Sequence, residues 1–175
     1  MRFLLPLIFL LILNDTFGQT SSVGVSFSLP SVALLDIEPN ANSINLSLTA
    51  PTEAGSMVSN TASNNTKWIN FSSAVTPGQT RRVSAQISGL MPNGLNLVLN
   101  TSTYSGSGAG TLGNRVSPIT LTAASQTIIN GIGGAFTGNG ASNGYNLTFT
   151  LSISNYSQLR SQSSTVSIIY TLIDN

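Results

Sequence analysis

The amino-acid sequence predicts an all-β protein, an immunoglobulin-like β-sandwich of about nine short strands, with a closed β-barrel as the alternative architecture. Three observations carry this expectation. Apolar residues alternate with polar ones in segment after segment, the period of a half-buried strand. Clusters of Gly, Pro, Asn, Ser and Thr separate those segments. Beyond the N-terminal apolar run, no window longer than a turn repeats apolar residues at helical spacing.

That first run is a targeting signal in form. Arg2 is followed by apolar residues from Phe3 to Leu13, broken only by Pro6, and then by the small side chains of Thr16 and Gly18. A span needs roughly twenty apolar residues, and this run is about half that length. Residues 1–18 are therefore expected to be a cleaved signal peptide, leaving residues 19–175 as a single β-sandwich domain with no membrane span. The protein is expected to be secreted or held at the cell surface, extracellular or periplasmic.

Val23, Val25, Phe27 and Leu29 then alternate with Gly24, Ser26 and Ser28 up to Pro30, which reads as a first strand. Pro lacks the N–H a ladder needs, so it marks a strand end. Val32–Ile37 reads as a second short strand and Ile44–Leu48 as a third, and residues 50–65 read as a long surface loop. In Lys67–Ser73 the alternation puts Trp68 and Asn70 on one face and Ile69 and Phe71 on the other. Val83, Ala85 and Ile87 alternate, as do Leu95, Leu97 and Leu99, and the Gly89–Gly94 connection makes the pair a long hairpin. Ile119, Leu121 and Ala123 follow. The clearest strands close the chain: Tyr145–Ser154 and Thr165–Ile173, the expected core of the sandwich. Tyr170 sits in the apolar register of the second, so it should be buried with its hydroxyl satisfied.

Composition narrows the chemistry. Charged residues make up 6% of the chain, against roughly 25% in ordinary soluble domains. The polar surface must be built from Ser, Thr, Asn and Gln. With a formal net charge of +1 and scattered Lys67, Arg81, Arg82, Arg115 and Arg160, no basic face is available for nucleic acid. The chain has no Cys and no His. Disulfides, thiolate catalysis, the usual zinc ligands and the commonest general acid or base are thereby excluded.

Beyond residue 18 four carboxylates remain: Asp36, Glu38, Glu53 and Asp174. Asp36 and Glu38 share a face if they lie on a strand, but that pattern also marks the solvent end of a strand. No EF-hand loop accompanies them. The glycine-rich stretches Ser105–Asn114 and Gly131–Gly144 contain no Gly-Lys-Ser/Thr sequence and open no amphipathic helix, so they read as flexible or tightly turned loops rather than phosphate cradles. Arg81 and Arg82 project to opposite faces of a strand. No enzyme, cofactor or metal is expected.

Several segments carry a resemblance. VALLDIEP, PTEAG, the glycine-rich Tyr104–Gly113, TGNG at Thr137–Gly140 and the ending YTLIDN resemble a group of uncharacterised small secreted β-sandwich proteins of Bacteroidetes, chiefly flavobacteria. Over about twenty residues, Tyr156-Ser-Gln-Leu followed by TVSIIYTL also resembles the C-terminal end of chaperone-usher-type fimbrial subunits, although the disulfide found in many such subunits is missing here.

The expected function is a non-enzymatic structural or adhesive surface protein, a fimbria-like subunit. Its partner would be a copy of itself, engaged through the segment bearing Val23, Val25, Phe27 and Leu29, which could instead pair within its own sheet. The alternative is a carbohydrate-binding, lectin-like module that stacks surface glycan on Trp68, Tyr104, Tyr145 or Tyr156.

Overall fold

Two antiparallel sheets face each other in the computed structural model, which describes residues 18–116 and 118–175. Eleven strands occur among these residues: β1 (Val32–Glu38), β2 (Thr61–Ala74), β3 (Arg81–Ser88), β4 (Leu95–Thr101), β5 (Ala109–Gly110), β6 (Asn114–Arg115), β7 (Ile119–Thr120), β8 (Gln126–Ile132), β9 (Ala135–Phe136), β10 (Tyr145–Ile153) and β11 (Ser167–Asp174). A single 3-10 turn, Tyr156–Gln158, precedes the last strand.

The larger sheet runs β5-β9-β2-β10-β4-β7, with β1 along the other edge of β2. The smaller sheet runs β11-β3-β8-β6. The sheets do not close into a barrel; the arrangement is sandwich-like, and every ladder is antiparallel. No helix of the described residues is long and apolar enough to cross a membrane. The expected signal segment lies, apart from Gly18, outside the described residues.

The inward faces supply the core. Ile69 and Phe71 of β2, Leu97 and Leu99 of β4, and Tyr145, Leu147 and Phe149 of β10 meet Val83, Ala85 and Ile87 of β3 and the isoleucines of β8. The alternation in each strand makes this possible, because successive side chains point to opposite faces. Tyr145 is fixed at the centre. Its ring stacks on Phe71 at 6.1 Å and meets Tyr104 edge-on at 5.8 Å. Its hydroxyl donates to the Leu112 and Gly113 carbonyl oxygens at 2.9 and 3.1 Å.

The structure departs from the sequence expectations at five places. Residues 23–29 form no strand. Residues 44–48 form none either, although Ile44 and Leu46 still pack against the core. The strand β2 begins at Thr61, inside the stretch that reads as surface loop. The segments expected to form a hairpin, β3 and β4, belong to different sheets, so Gly89–Gly94 crosses the sandwich. A strand with one apolar face can satisfy it from either side of the core, and alternation alone does not choose the sheet. Finally, β8 was hidden by its own irregularity. Ile128 and Ile129 are adjacent yet both buried, because the β3/β8 ladder shifts register between Val83 and Ser84 and again between Arg81 and Val83. A bulge puts neighbouring residues on one side of a strand, which breaks the period-two signal.

Candidate functional site

The residues with unmet pairing capacity lie at the N-terminal arm and along one margin of the sandwich. From Gly18 to Ser31 every residue is exposed and none belongs to a strand. Val23, Val25, Phe27 and Leu29 are between 78 and 93% exposed. Four large apolar side chains at every second position, all in water, form an unusual surface for a folded chain.

Local chemistry keeps the arm off its own sheet. A tight hairpin back onto β1 would place Pro30 and Ser31 at the two central turn positions. Turns of that length need positive φ at the first of these, and the proline ring locks φ near −65°. Ser31 is in addition tied down: its hydroxyl donates to the Ala74 carbonyl oxygen at 3.2 Å and accepts from Arg81 Nη2 at 2.9 Å. The arm therefore leaves the body at the end of β1. Pairing within its own sheet, the sequence's other option, is not what the structure shows.

Arg81 organises that end. Its side chain is buried, its Nε donates to Asp174 Oδ1 at 2.7 Å, and its Nη1 donates to the Val32 carbonyl oxygen and, at 3.4 Å each, to Ser73 Oγ and the Ala74 carbonyl oxygen. One guanidinium thus fastens the start of β1 to the end of β11. Arg82 points the other way, to Asn175 Oδ1 at 3.1 Å, so the opposite projection expected for this pair is met.

β1 and β11, the long edge strands of the two sheets, lie next to one another. The edge strand β11 pairs only with β3, over eight residues from Ser167 to Asp174. Edge strands are usually blunted by shortness, Pro or Lys. Of the other edge strands, β5, β6 and β7 are two residues each and the seven-residue β1 bears two charges, Asp36 and Glu38, whereas β11 is long and carries one charge, at its last residue. Val166, Ile168, Tyr170 and Leu172 pack against the core but are only partly covered, as are Leu35 and Ile37 of β1. The Tyr170 hydroxyl is buried without a hydrogen-bond partner, so the satisfied hydroxyl expected from sequence is not found.

Burial raises the Tyr170 hydroxyl pKa well above its ordinary value, and burial together with the charge of Tyr104 raises that of Tyr145 from 10.0 to about 12. A raised phenol pKa means that the unfolded chain ionises first. The stability is fully present below pH 10 and is lost as the pH climbs through about 12, since the unfolded state then binds fewer protons. In an alkaline titration followed by tyrosinate absorbance, two of the four tyrosines should ionise late, together with unfolding. Simultaneous titration of all four in the folded protein would contradict the packing of Tyr145 and Tyr170.

The aromatic candidates are not brought together. Trp68 stands half-buried on the outer face of the larger sheet, opposite Glu38 of β1 and Asn146 of β10. Tyr104 packs against the core, its hydroxyl donating to the Thr137 carbonyl oxygen at 3.3 Å and accepting from the Gly108 N–H. Tyr156 lies in the 3-10 turn, half exposed, with its hydroxyl accepting from the Val58 N–H at 3.3 Å. Tyr145 is buried. Sugar stacking needs a free ring face, and these rings sit on separate elements without forming one platform.

Asp36 and Glu38 both lie on β1, two residues apart and so on one face, as expected of a strand. Asp36 Oδ1 accepts from the Ile37 N–H at 2.7 Å on the exposed face of β1, and Asp174 is held by Arg81. Among the described residues no group of three metal-ligating side chains converges.

Two features were missed by sequence reasoning. Arg81 was legible only as one half of an Arg pair, with nothing to mark it as a buried anchor. Thr137 is fully buried and replaces a ladder residue: its Oγ1 accepts from the Phe71 N–H at 3.0 Å and donates to the Gly138 carbonyl oxygen at 3.0 Å. Its position in a glycine-rich stretch gave no signal of burial. No protein-family model, no curated protein and no solved structure matches this chain.

Proposed function

We propose that this protein is a secreted, non-enzymatic structural subunit, fimbria-like, that assembles with copies of itself by donating residues 23–29 as a strand. The observation that carries this reading is the exposure of Val23, Val25, Phe27 and Leu29 on an arm that belongs to no strand of its own body. An edge with unpaired amides and carbonyls accepts such a segment through main-chain bonds, while alternate side chains fill apolar positions beside it. The immunoglobulin-like character of the sandwich belongs to the same reading. An adhesive role would follow from display of the assembled subunits at the cell surface.

Removal of Gln19–Pro30 tests it. Size exclusion with light scattering and electron microscopy should show large assemblies for the whole chain and monomers for the shortened one. Phe27→Asp should act in the same direction, because burying a phenyl ring contributes about 2–3 kcal/mol and the carboxylate contributes none of it. That difference weakens association on the order of 100-fold. A whole chain that stays monomeric, or an oligomer unchanged by removal of the arm, would overturn the proposal.

A further inference from the structure

We infer that the acceptor for the arm is the open edge of β11 in a second copy of this chain, entered antiparallel to β11, so that subunits join head to tail in an open filament. The inference rests on the strand-donation reading and adds the acceptor, the direction and the pole at which subunits meet.

The acceptor follows from pattern and edge. The four apolar arm residues recur at every second position from 23 to 29, and Val166, just before β11, and Ile168, Tyr170 and Leu172 within it are partly covered at the same period. One register sets Val23 against Leu172, Val25 against Tyr170, Phe27 against Ile168 and Leu29 against Val166. Of the other edge strands, β5, β6 and β7 are too short to hold seven residues, and β1, long enough, carries the charges of Asp36 and Glu38 that blunt an edge.

Direction decides the architecture. The arm leaves its own body at the Arg81–Asp174 pole, because Ser31 is held there by Arg81. In the antiparallel register Leu29 lies at the Val166 end, so the donor body seats on the acceptor's opposite pole. Unlike poles then meet, the contact is heterologous, and repetition gives an open filament. In a parallel register Leu29 would lie at Leu172. Like poles would meet with both arms between them, and mutual exchange would close a dimer.

Two observations favour the antiparallel arrangement. Every ladder of the sandwich is antiparallel, and antiparallel pairing is slightly the more stable per residue. The two poles also differ in room. At the Ser167 end a cleft of about 460 Å³ opens between the Leu90–Asn93 connection and the segment holding Gln158 and Gln162, with Leu90 almost fully exposed. The Asp174 end offers a depression of about 80 Å³ beside Ser31 and Arg81.

The chain has no cysteine, so engineered pairs report cleanly. Ser28 and Ser167 face each other in the antiparallel register, and Ser28 and Thr171 in the parallel one. Under mild oxidation the S28C/S167C protein should run on denaturing gels as a ladder of covalent multimers, while S28C/T171C should give none. Covalent dimers from S28C/T171C would overturn the polarity, and a cross-linked monomer would show that the arm fills its own margin. Arm-dependent assemblies in which neither pair cross-links would overturn the β11 acceptor while leaving strand donation standing. Loss of both cross-links from a chain with no arm-dependent assembly would remove the parent reading as well.

Discussion

Gly144→Ala should destabilise the protein by about 2–5 kcal/mol, a large share of the stability of an ordinary domain. Two costs combine. Gly144 has φ of +83°, a conformation that costs an L-residue about 1–2 kcal/mol. A methyl group there would lie 2.2 Å from the Ile69 carbonyl oxygen, a backbone overlap that cannot be relieved by a rotamer change and costs about 1–3 kcal/mol. Gly108→Ala should be comparably severe through overlap alone, since its Cβ would sit 2.0 Å from the Phe136 carbonyl oxygen. Two controls separate the causes. Gly140 has φ of +90° and nothing within 4 Å, so Gly140→Ala should cost only about 1–2 kcal/mol. Gly134 has neither feature, so Gly134→Ala should be neutral or raise stability by about 0.4–1 kcal/mol. Urea denaturation of the four variants checks the ranking. Equal midpoints for Gly144→Ala and Gly134→Ala would mean that these loops are loosely packed.

The glycine series shows where the sequence was informative and where it fell silent. Composition identified the 105–114 and 131–144 stretches as flexible or tightly turned loops, and the second description is the one that applies at Gly108 and Gly144. Which glycines touch backbone depends on partners such as Ile69 and Phe136, brought close by ladders of long sequence separation. Local pattern carries no record of those partners. The regular strands were legible because each buries one face: Ile69 and Phe71, Val83, Ala85 and Ile87, and Leu147 and Phe149 alternate with polar residues, Leu97 and Leu99 recur at the same period about Val98, and all of these are buried. Sheet membership was not legible, as the separation of β3 from β4 shows.

The arm teaches the complementary lesson. Val23, Val25, Phe27 and Leu29 have the strongest strand pattern in the N-terminal third, yet they pair with nothing in their own chain. Periodicity reports that a segment is suited to a sheet, without saying whose sheet. Pro30 marks a strand end in the sequence, and in the structure its fixed φ matters more because it blocks the tight reversal that would return the arm to β1. The same residue pattern therefore supports a fold in one place and an unfilled interaction in another. The difference lies in Pro30 and in Ser31 with its bonds to Arg81 and Ala74.

Arg81→Met should cost about 3 kcal/mol, and Asp174→Asn no more than about 1 kcal/mol, although the two residues form one ion pair at 2.7 Å. The asymmetry follows from exposure. The Asp174 side chain is 72% exposed and Arg81 only 7%, so the carboxylate is hydrated without its partner and the pair behaves like a surface salt bridge, worth about 0–1 kcal/mol. Arg81 also serves the Val32 and Ala74 carbonyl oxygens and the Ser31 and Ser73 hydroxyls. Met fills the volume but leaves these acceptors without their charged donor, and hydrogen bonds to charged groups contribute about 1.5–3 kcal/mol. Arg81→Lys should fall between the two, because one ammonium cannot reproduce the fork of a guanidinium. Chemical denaturation gives the ranking, and hydrogen exchange locates it: amides at the start of β1 should lose protection in Arg81→Met and keep it in Asp174→Asn. Equal losses in both variants would make the ion pair, rather than the hydrogen-bond hub, the fastening between β1 and β11. Under strand donation the consequence reaches further, since the root of the arm is held by this side chain. Arg81→Met should then lower the yield of assemblies even at denaturant concentrations where the sandwich itself remains folded.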